Sequence, residues 1–299
     1  MAEKKNTSEL ALMDSFKIAT RYENIDPEML AELNDEMGDL DPESGIACRQ
    51  IKVPSGGGLA FEVQGEDDGD AEPMKEIDGV IVFTHRLSAY WPGSFGSASN
   101  PEDKIPTCSS MDGKTGFCPS TGEVINCEGC QWNQYGTGMD EKGNPSRGKA
   151  CKNMRRIYLM MDGDPNFYLL TVPPTSIRDI NKQLAKILAS GIPYTGTIVT
   201  LGLERTKNNS GVAYSKVTVK RKGLLPPAVA AQVQQLRLQI KEQYQSMAIT
   251  LDDYTAPIQQ RSRPVNVTPD DAEMDALNGT NAAPVFEEAP PHDDSDLPF

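Results

Sequence analysis

The chain has 299 residues, 38% of them apolar and 24% charged, which is enough for a sizeable core in one large or two small domains, though the balance leans polar. No apolar run approaches bilayer length, and Met1-Ala-Glu-Lys-Lys leads into a charged stretch and not an apolar leader, so a cytoplasmic protein with no membrane partner is expected. The net charge of −14 argues against a polyanionic partner until it is divided: residues 1–45 account for −8 and residues 252–299 for −9, leaving +3 on residues 46–251.

Residues 1–45 read as an acidic arm. Asp26-Pro27-Glu28 is a helix start, with Met29, Leu30 and Leu33 as a short apolar stripe. Strand-like alternation begins at Ile46, and Ile46–Val53 and Leu59–Val63 flank Pro54-Ser-Gly-Gly-Gly58 as a hairpin. That glycine run lacks the Lys-Ser/Thr of a phosphate loop. Gly79–Trp91 predicts a long strand with Ile81, Phe83, His85, Leu87 and Trp91 on one face, and Val80, Val82, Thr84, Arg86, Ser88 and Tyr90 on the other. Residues 92–152 are rich in Gly, Ser, Asn and Pro, show little apolar periodicity and cannot build a core.

Strands resume at Arg155–Met161 and Phe167–Val172. A helix is predicted over 176–190, with Ser176 and Asp179 as a capping-box-like start, a stripe through Ile180, Leu184 and Ile187, and Gly191 as its stop. Tyr194–Arg205 and Val212–Lys222 form a second hairpin, and Pro226-Pro227 opens a helix to about 247. Beyond Thr250 the chain becomes Pro-, Asp- and Ala-rich, as expected for a disordered acidic tail. The expected fold class is mainly β with added helices (α+β), an OB-like barrel over 46–251 carrying an inserted loop at 106–152 between acidic termini.

Five of the six cysteines lie in that loop: Cys108, Cys118, Cys127, Cys130 and Cys151. Cys127-Glu-Gly-Cys130 is a CxxC turn, which puts two thiolates on one ion, and two more thiolates close a tetrahedral shell. Cys108, Cys127, Cys130 and Cys151 are the favoured ligands of a structural zinc, with Cys118 as an alternate; the metal would replace missing apolar burial. An iron–sulfur cluster and redox thiols are the other readings of the cluster. His85, on an apolar strand face, reads as a packed core histidine, and Cys48 as a small core or edge residue.

Non-specific single-strand binding needs cations interleaved with aromatic faces. Lys149, Lys152, Arg155 and Arg156 follow the loop, Trp132 follows the CxxC, and Arg86, Tyr90 and Trp91 end the long strand. Tyr214, Lys216 and Lys220 share one face of the second hairpin, with Lys222 beyond them. Each also has a plain reading as a solvated or core position.

The last residues, Asp293-Asp294-Ser295-Asp296-Leu297-Pro298-Phe299, join an acidic run to a short apolar tip. This stretch resembles the acidic tip of bacterial and phage single-stranded DNA-binding proteins. Cys127-x-x-Cys130-x-x-Asn133, Gly148-Lys149-Ala150-Cys151-Lys152, Arg155-Arg156 and Pro173-Pro174-Thr175-Ser176 are similar in pattern to phage-encoded DNA-binding proteins. The resemblance implies an OB-fold with an inserted zinc loop that binds and protects single-stranded DNA in replication or recombination, without catalysis, in the cytoplasm of the cell (the host's, for a phage protein). It also implies that Asp293, Asp294, Asp296, Leu297, Pro298 and Phe299 recruit replication or recombination proteins. The alternative is a zinc-stabilised interaction scaffold or transcription regulator. An enzyme is disfavoured, since neither a Walker loop nor HExxH is present.

Overall fold

The computed structural model describes residues 48–65, 70–92, 105–139, 143–208 and 211–245, with positions 12, 13, 15–18, 28, 29, 32 and 249 besides. All of them belong to one unit, Met1–Pro257; the other, Ile258–Phe299, lies outside the described residues, and with it the predicted apolar tip. Most of the acidic N-terminal arm lies outside them too.

The chain is mainly β. Strands β1 (Cys48–Lys52), β2 (Phe61–Gln64), β3 (Ala71–Met74) and β4 (Glu76–Tyr90) precede the cysteine-rich segment, which contributes β5 (Cys108–Ser110), β6 (Thr115–Cys118) and β7 (Glu123–Asn126). Next come β8 (Lys152–Met161), β9 (Phe167–Val172), helix α1 (Pro174–Ala189), β10 (Thr197–Lys207), β11 (Ala213–Leu224) and helix α2 (Pro227–Gln243). The eleven strands form one mixed sheet in the order β3-β2-β1-β9-β8-β4-β5-β6-β7, with β10 and β11 branching from β4. The path is open: no ladder among the described residues joins its ends. The β1–β9 pair is parallel, a long-range pairing that no local alternation announces. No described helix is long and apolar enough to cross a membrane.

β4 is the hub because it is long and rich in Val, Ile, Phe and Thr, residues whose branched or flat side chains fit a pleated surface. It pairs with β10 over its first residues, with β8 over most of its length and with β5 at its end. A bulge between Ile81 and Phe83 inserts one residue into the ladder. Strict alternation put Ile81 and Phe83 on one face, and the bulge separates them, because one extra residue reverses which way every later side chain points. Ile81 stays with Ile77 in a first core under α1, with Ile157, Leu170, Val199 and Val217. Phe83 instead joins Val80 and Val82 in a second core, under Val233 and Ile240 of α2 and beside Phe16 and Ile18.

The bulge also carries the polar end of β4 onto the first-core face, past the last apolar layer. Thr84, Arg86, Ser88 and Tyr90 therefore continue the first-core face of β4 toward the cysteine-rich segment.

α1 starts two residues before its predicted position. Pro173 is the N-cap and Pro174 the first helical residue, where a missing N–H costs nothing. Ser176 is thus free of capping duty and accepts the Val217 N–H (2.9 Å), while Asp179 pairs with Lys216. Gly191 follows the C-cap with φ +79°, the left-handed turn that glycine permits. The first predicted hairpin forms with Ile51 opposite Val63, and Ser215 of β11 lies 2.9 and 2.8 Å from the Pro54 and Gly58 carbonyls at its turn.

Candidate nucleic-acid interface and thiol cavity

Arg86 of β4 stands opposite Arg155 of β8, and Ser88 opposite Asn153. All four side chains lie on the first-core face, since Arg155 alternates with the buried Ile157. Like charges directly across two strands repel. Burial, with the Arg86 charge beside it, lowers the pKa of the Arg155 guanidinium. Its Nη1 donates to Thr84 Oγ1 (3.1 Å), and its Nε is buried without a hydrogen-bond partner. Arg86 is exposed.

A hydrogen-bond chain runs from the neighbouring Ser88–Asn153 pair toward the cysteines. Ser88 Oγ donates to Asn153 Oδ1 (2.9 Å), and Asn153 Nδ2 donates to Asn133 Oδ1 (3.0 Å). Lys149 Nζ donates to the same oxygen (3.1 Å), and Asn133 Nδ2 donates to the Cys127 carbonyl (2.6 Å). Asn133 therefore ties the CxxC turn to the sheet. The Tyr90 and Trp132 rings stack at 4.9 Å and 9°. Trp132 keeps 39% of its surface exposed, Tyr135 keeps 82%, and Lys149 Nζ lies 4.9 Å from the Tyr135 ring centre. Lys152 donates to the Lys149 carbonyl (3.3 Å), and burial lowers its pKa.

The other expected contacts separate from this group. Trp91 is 9% exposed and packs with Leu87, Ala89 and Met154 on the opposite face, so its ring is core and not a stacking platform. Arg156 is 1% exposed for a related reason: adjacent strand residues point to opposite faces, so Arg155 and Arg156 cannot share a surface. Tyr214, Lys216 and Lys220 alternate with buried Ser215, Val217 and Val219 and lie on the outward face of β11, opposite to Arg86 and Arg155. Lys216 pairs with Asp179 at 2.5 Å; the pair raises the lysine's pKa and lowers the aspartate's. Lys222 likewise pairs with Asp78.

All five loop cysteines line one cavity of about 220 Å³, together with Tyr90 and Trp132. Cys118 belongs to it as fully as the four favoured ligands do. Cys108 and Cys118 face each other across β5–β6, where Ser109 pairs with Phe117. A Cβ added at Gly116 would sit 3.1 Å from Cys108 Sγ and 3.5 Å from Cys127 Sγ, so the glycine leaves room between two sulfurs. Burial first, and then the neighbouring thiols, push the Cys108 pKa up to about 12; burial does the same for Cys151, and Cys127 is also raised. Among the described residues, no three His, Cys, Asp or Glu side chains are arranged to hold one ion. Cys48 lies elsewhere, half-buried against the second core.

Asn153 and Ser88 escaped sequence reasoning because small polar residues near a strand end carry no periodic signal. The three short strands β5–β7 escaped it as well: at three or four residues each, with exposed Phe117 and Val124, they show too little alternation to separate from loop. No protein-family model, no curated protein and no solved structure matches this chain.

Proposed function

We propose that this protein binds single-stranded DNA without catalysis, on the surface formed by Arg86, Arg155, Tyr90, Trp132 and Lys149. The observation that carries the reading is the half-exposed Trp132, stacked on Tyr90 beside the Arg86–Arg155 pair. A base offers a π-face to Trp132, and a phosphate relieves the repulsion between the two guanidinium groups. Duplex DNA hides its base faces, so such a surface favours single strands.

An OB-like core is part of the proposal. The partial order β9-β8-β4-β10-β11, with β4 shared between β8 and β10 and α1 between β9 and β10, supports it. The proposed cofactor is one structural zinc held by Cys108, Cys127, Cys130 and Cys151. The thiols are not drawn together on one point, but an all-thiol lining of one cavity, with Gly116 leaving room between two sulfurs, is a donor chemistry that suits a thiophilic cation. Its role is structural: it would fix the turn that presents Trp132. The C-terminal tip, Asp293–Phe299, is proposed to recruit replication or recombination proteins.

Fluorescence anisotropy with labelled single-stranded and duplex oligonucleotides at two salt concentrations tests the reading. Preference for the single strand, weakening with salt, is expected. Equal binding to both would favour an interaction scaffold or transcription regulator, a reading to which the exposed Phe117–Val124 pair on the β6–β7 hairpin also lends itself.

A further inference from the structure

We propose that Cys108 and Cys118 are a site of oxidative modification: hydrogen peroxide converts them to a disulfide, which opens the metal centre and weakens DNA binding at Trp132. The inference rests on the zinc and DNA readings above. It starts from an excess of thiols, because five cysteines line a cavity where a tetrahedral shell uses four. With Cys108, Cys127, Cys130 and Cys151 on the ion, Cys118 is the thiol that the metal leaves uncovered.

Its position favours Cys108 as its partner. The two residues are directly opposed on β5 and β6, and both line the same cavity. Opposed residues on antiparallel strands have Cβ atoms about 4.5–5.5 Å apart, and a disulfide needs about 3.5–4.5 Å, so a small approach suffices.

The chemistry balances in two steps. Cys118 sulfur attacks the peroxide oxygen, the O–O bond breaks, one water leaves, and a sulfenic acid remains. Cys108 sulfur then attacks that sulfur, the S–O bond breaks, and the departing hydroxyl takes the Cys108 proton and leaves as the second water. Two thiols have lost two electrons, and hydrogen peroxide has become two waters. The metal is left with three protein ligands, an open and weaker set. Trp132 lies two residues beyond Cys130 and lines the same cavity, so loosening this centre disturbs the Tyr90–Trp132 stack.

The test uses the full-length, zinc-loaded protein and hydrogen peroxide. Non-reducing peptide mapping by mass spectrometry should find the Cys108–Cys118 link first. A chromogenic chelator should report zinc release in parallel, and single-strand affinity should fall about tenfold, the order of one lost base stack. Dithiothreitol with zinc should restore both. Cys118→Ser, compared with its own untreated state, should keep its zinc over the same period. A first link between Cys127 and Cys130, or equally fast zinc loss in Cys118→Ser, overturns the proposal. Absence of zinc before treatment would sink the metal reading instead, and the peptide map of the wild-type chain would still decide the pairing.

Discussion

His85 should make stability fall steeply in mild acid. It is 8% exposed and packed among the Phe83, Tyr158 and Tyr244 rings. Its Nδ1 faces the carbonyls of Arg86 (2.9 Å) and Met111 (2.8 Å), so Nδ1 carries the proton and donates. Nε2 faces the Tyr158 hydroxyl, and a second proton there would be buried without a carboxylate to receive it. Burial, with Arg156 and Arg155 nearby, lowers the pKa from 6.5 to about 4. Because the folded pKa is depressed, the unfolded chain binds a proton between these values while the folded chain does not. Stability is therefore full above about pH 6.5 and declines until pH reaches about 4.

At about 1.4 kcal/mol per pH unit the loss is about 3 kcal/mol. With a urea slope of about 2 kcal/mol/M, the unfolding midpoint should drop by about 1.5 M. His85→Asn keeps an N–H donor where Nδ1 stands and cannot titrate. Its midpoint will be lower at neutral pH, through lost ring packing, but its decline from pH 7 to pH 4 should be shallower than the wild type's by that amount. Urea titrations followed by circular dichroism would measure this, and parallel declines in the two proteins would refute the reasoning.

Arg86→Ala should lower the slope of log affinity against log salt by about one, since one phosphate contact is lost; anisotropy at four salt concentrations measures it, and an unchanged slope removes Arg86 from the interface. Gly116→Ala places a methyl carbon 3.1 Å from Cys108 Sγ and should lower zinc content well below one per chain, as read by elemental analysis. Gly79→Ala meets the Met160 carbonyl at 2.6 Å, backbone that cannot swing away, and should cost about 1–3 kcal/mol in a urea titration. Deleting Asp293–Phe299 should leave or raise single-strand affinity while abolishing capture of partner proteins; loss of DNA binding would contradict the role assigned to the tip.

Much of the fold was legible where hydrophobic period and punctuation agreed. The long strand, both later hairpin strands and the two helices fall within a few residues of their predicted places, because Val- and Ile-rich alternation, the apolar stripe of the first helix and the Pro226-Pro227 opening of the second are local signals. The bulge at Ile81/Phe83 was not legible, since a ladder irregularity depends on the partner strand β8. Its consequence reached the site: it sorts Trp91 into a core and leaves Tyr90 facing the loop. The parallel β1–β9 pairing is long-range for the same reason.

At the site, the CxxC spacing pointed to a shared cavity. Which cysteines enter it depended on β5–β6 pairing, and that brought Cys118 in opposite Cys108. Clustering bases by sequence proximity failed at Arg156, and clustering them by shared strand face failed for Lys216 and Lys220. Side-chain period separated the first from Arg155, and Lys216 and Lys220 lie on the face of β11 opposite to the buried Val217 and Val219, with Lys216 paired to Asp179.

The most direct test of the central claim is tryptophan fluorescence during titration with a single-stranded oligonucleotide. The chain has two tryptophans, and Trp91 is buried while Trp132 is half-exposed. Stacking of a base on Trp132 predicts quenching that saturates, reverses with salt, and disappears in Trp132→Phe, whose ring still stacks but does not report. No quenching, or the same quenching in Trp132→Phe, would contradict the placement of DNA on this surface.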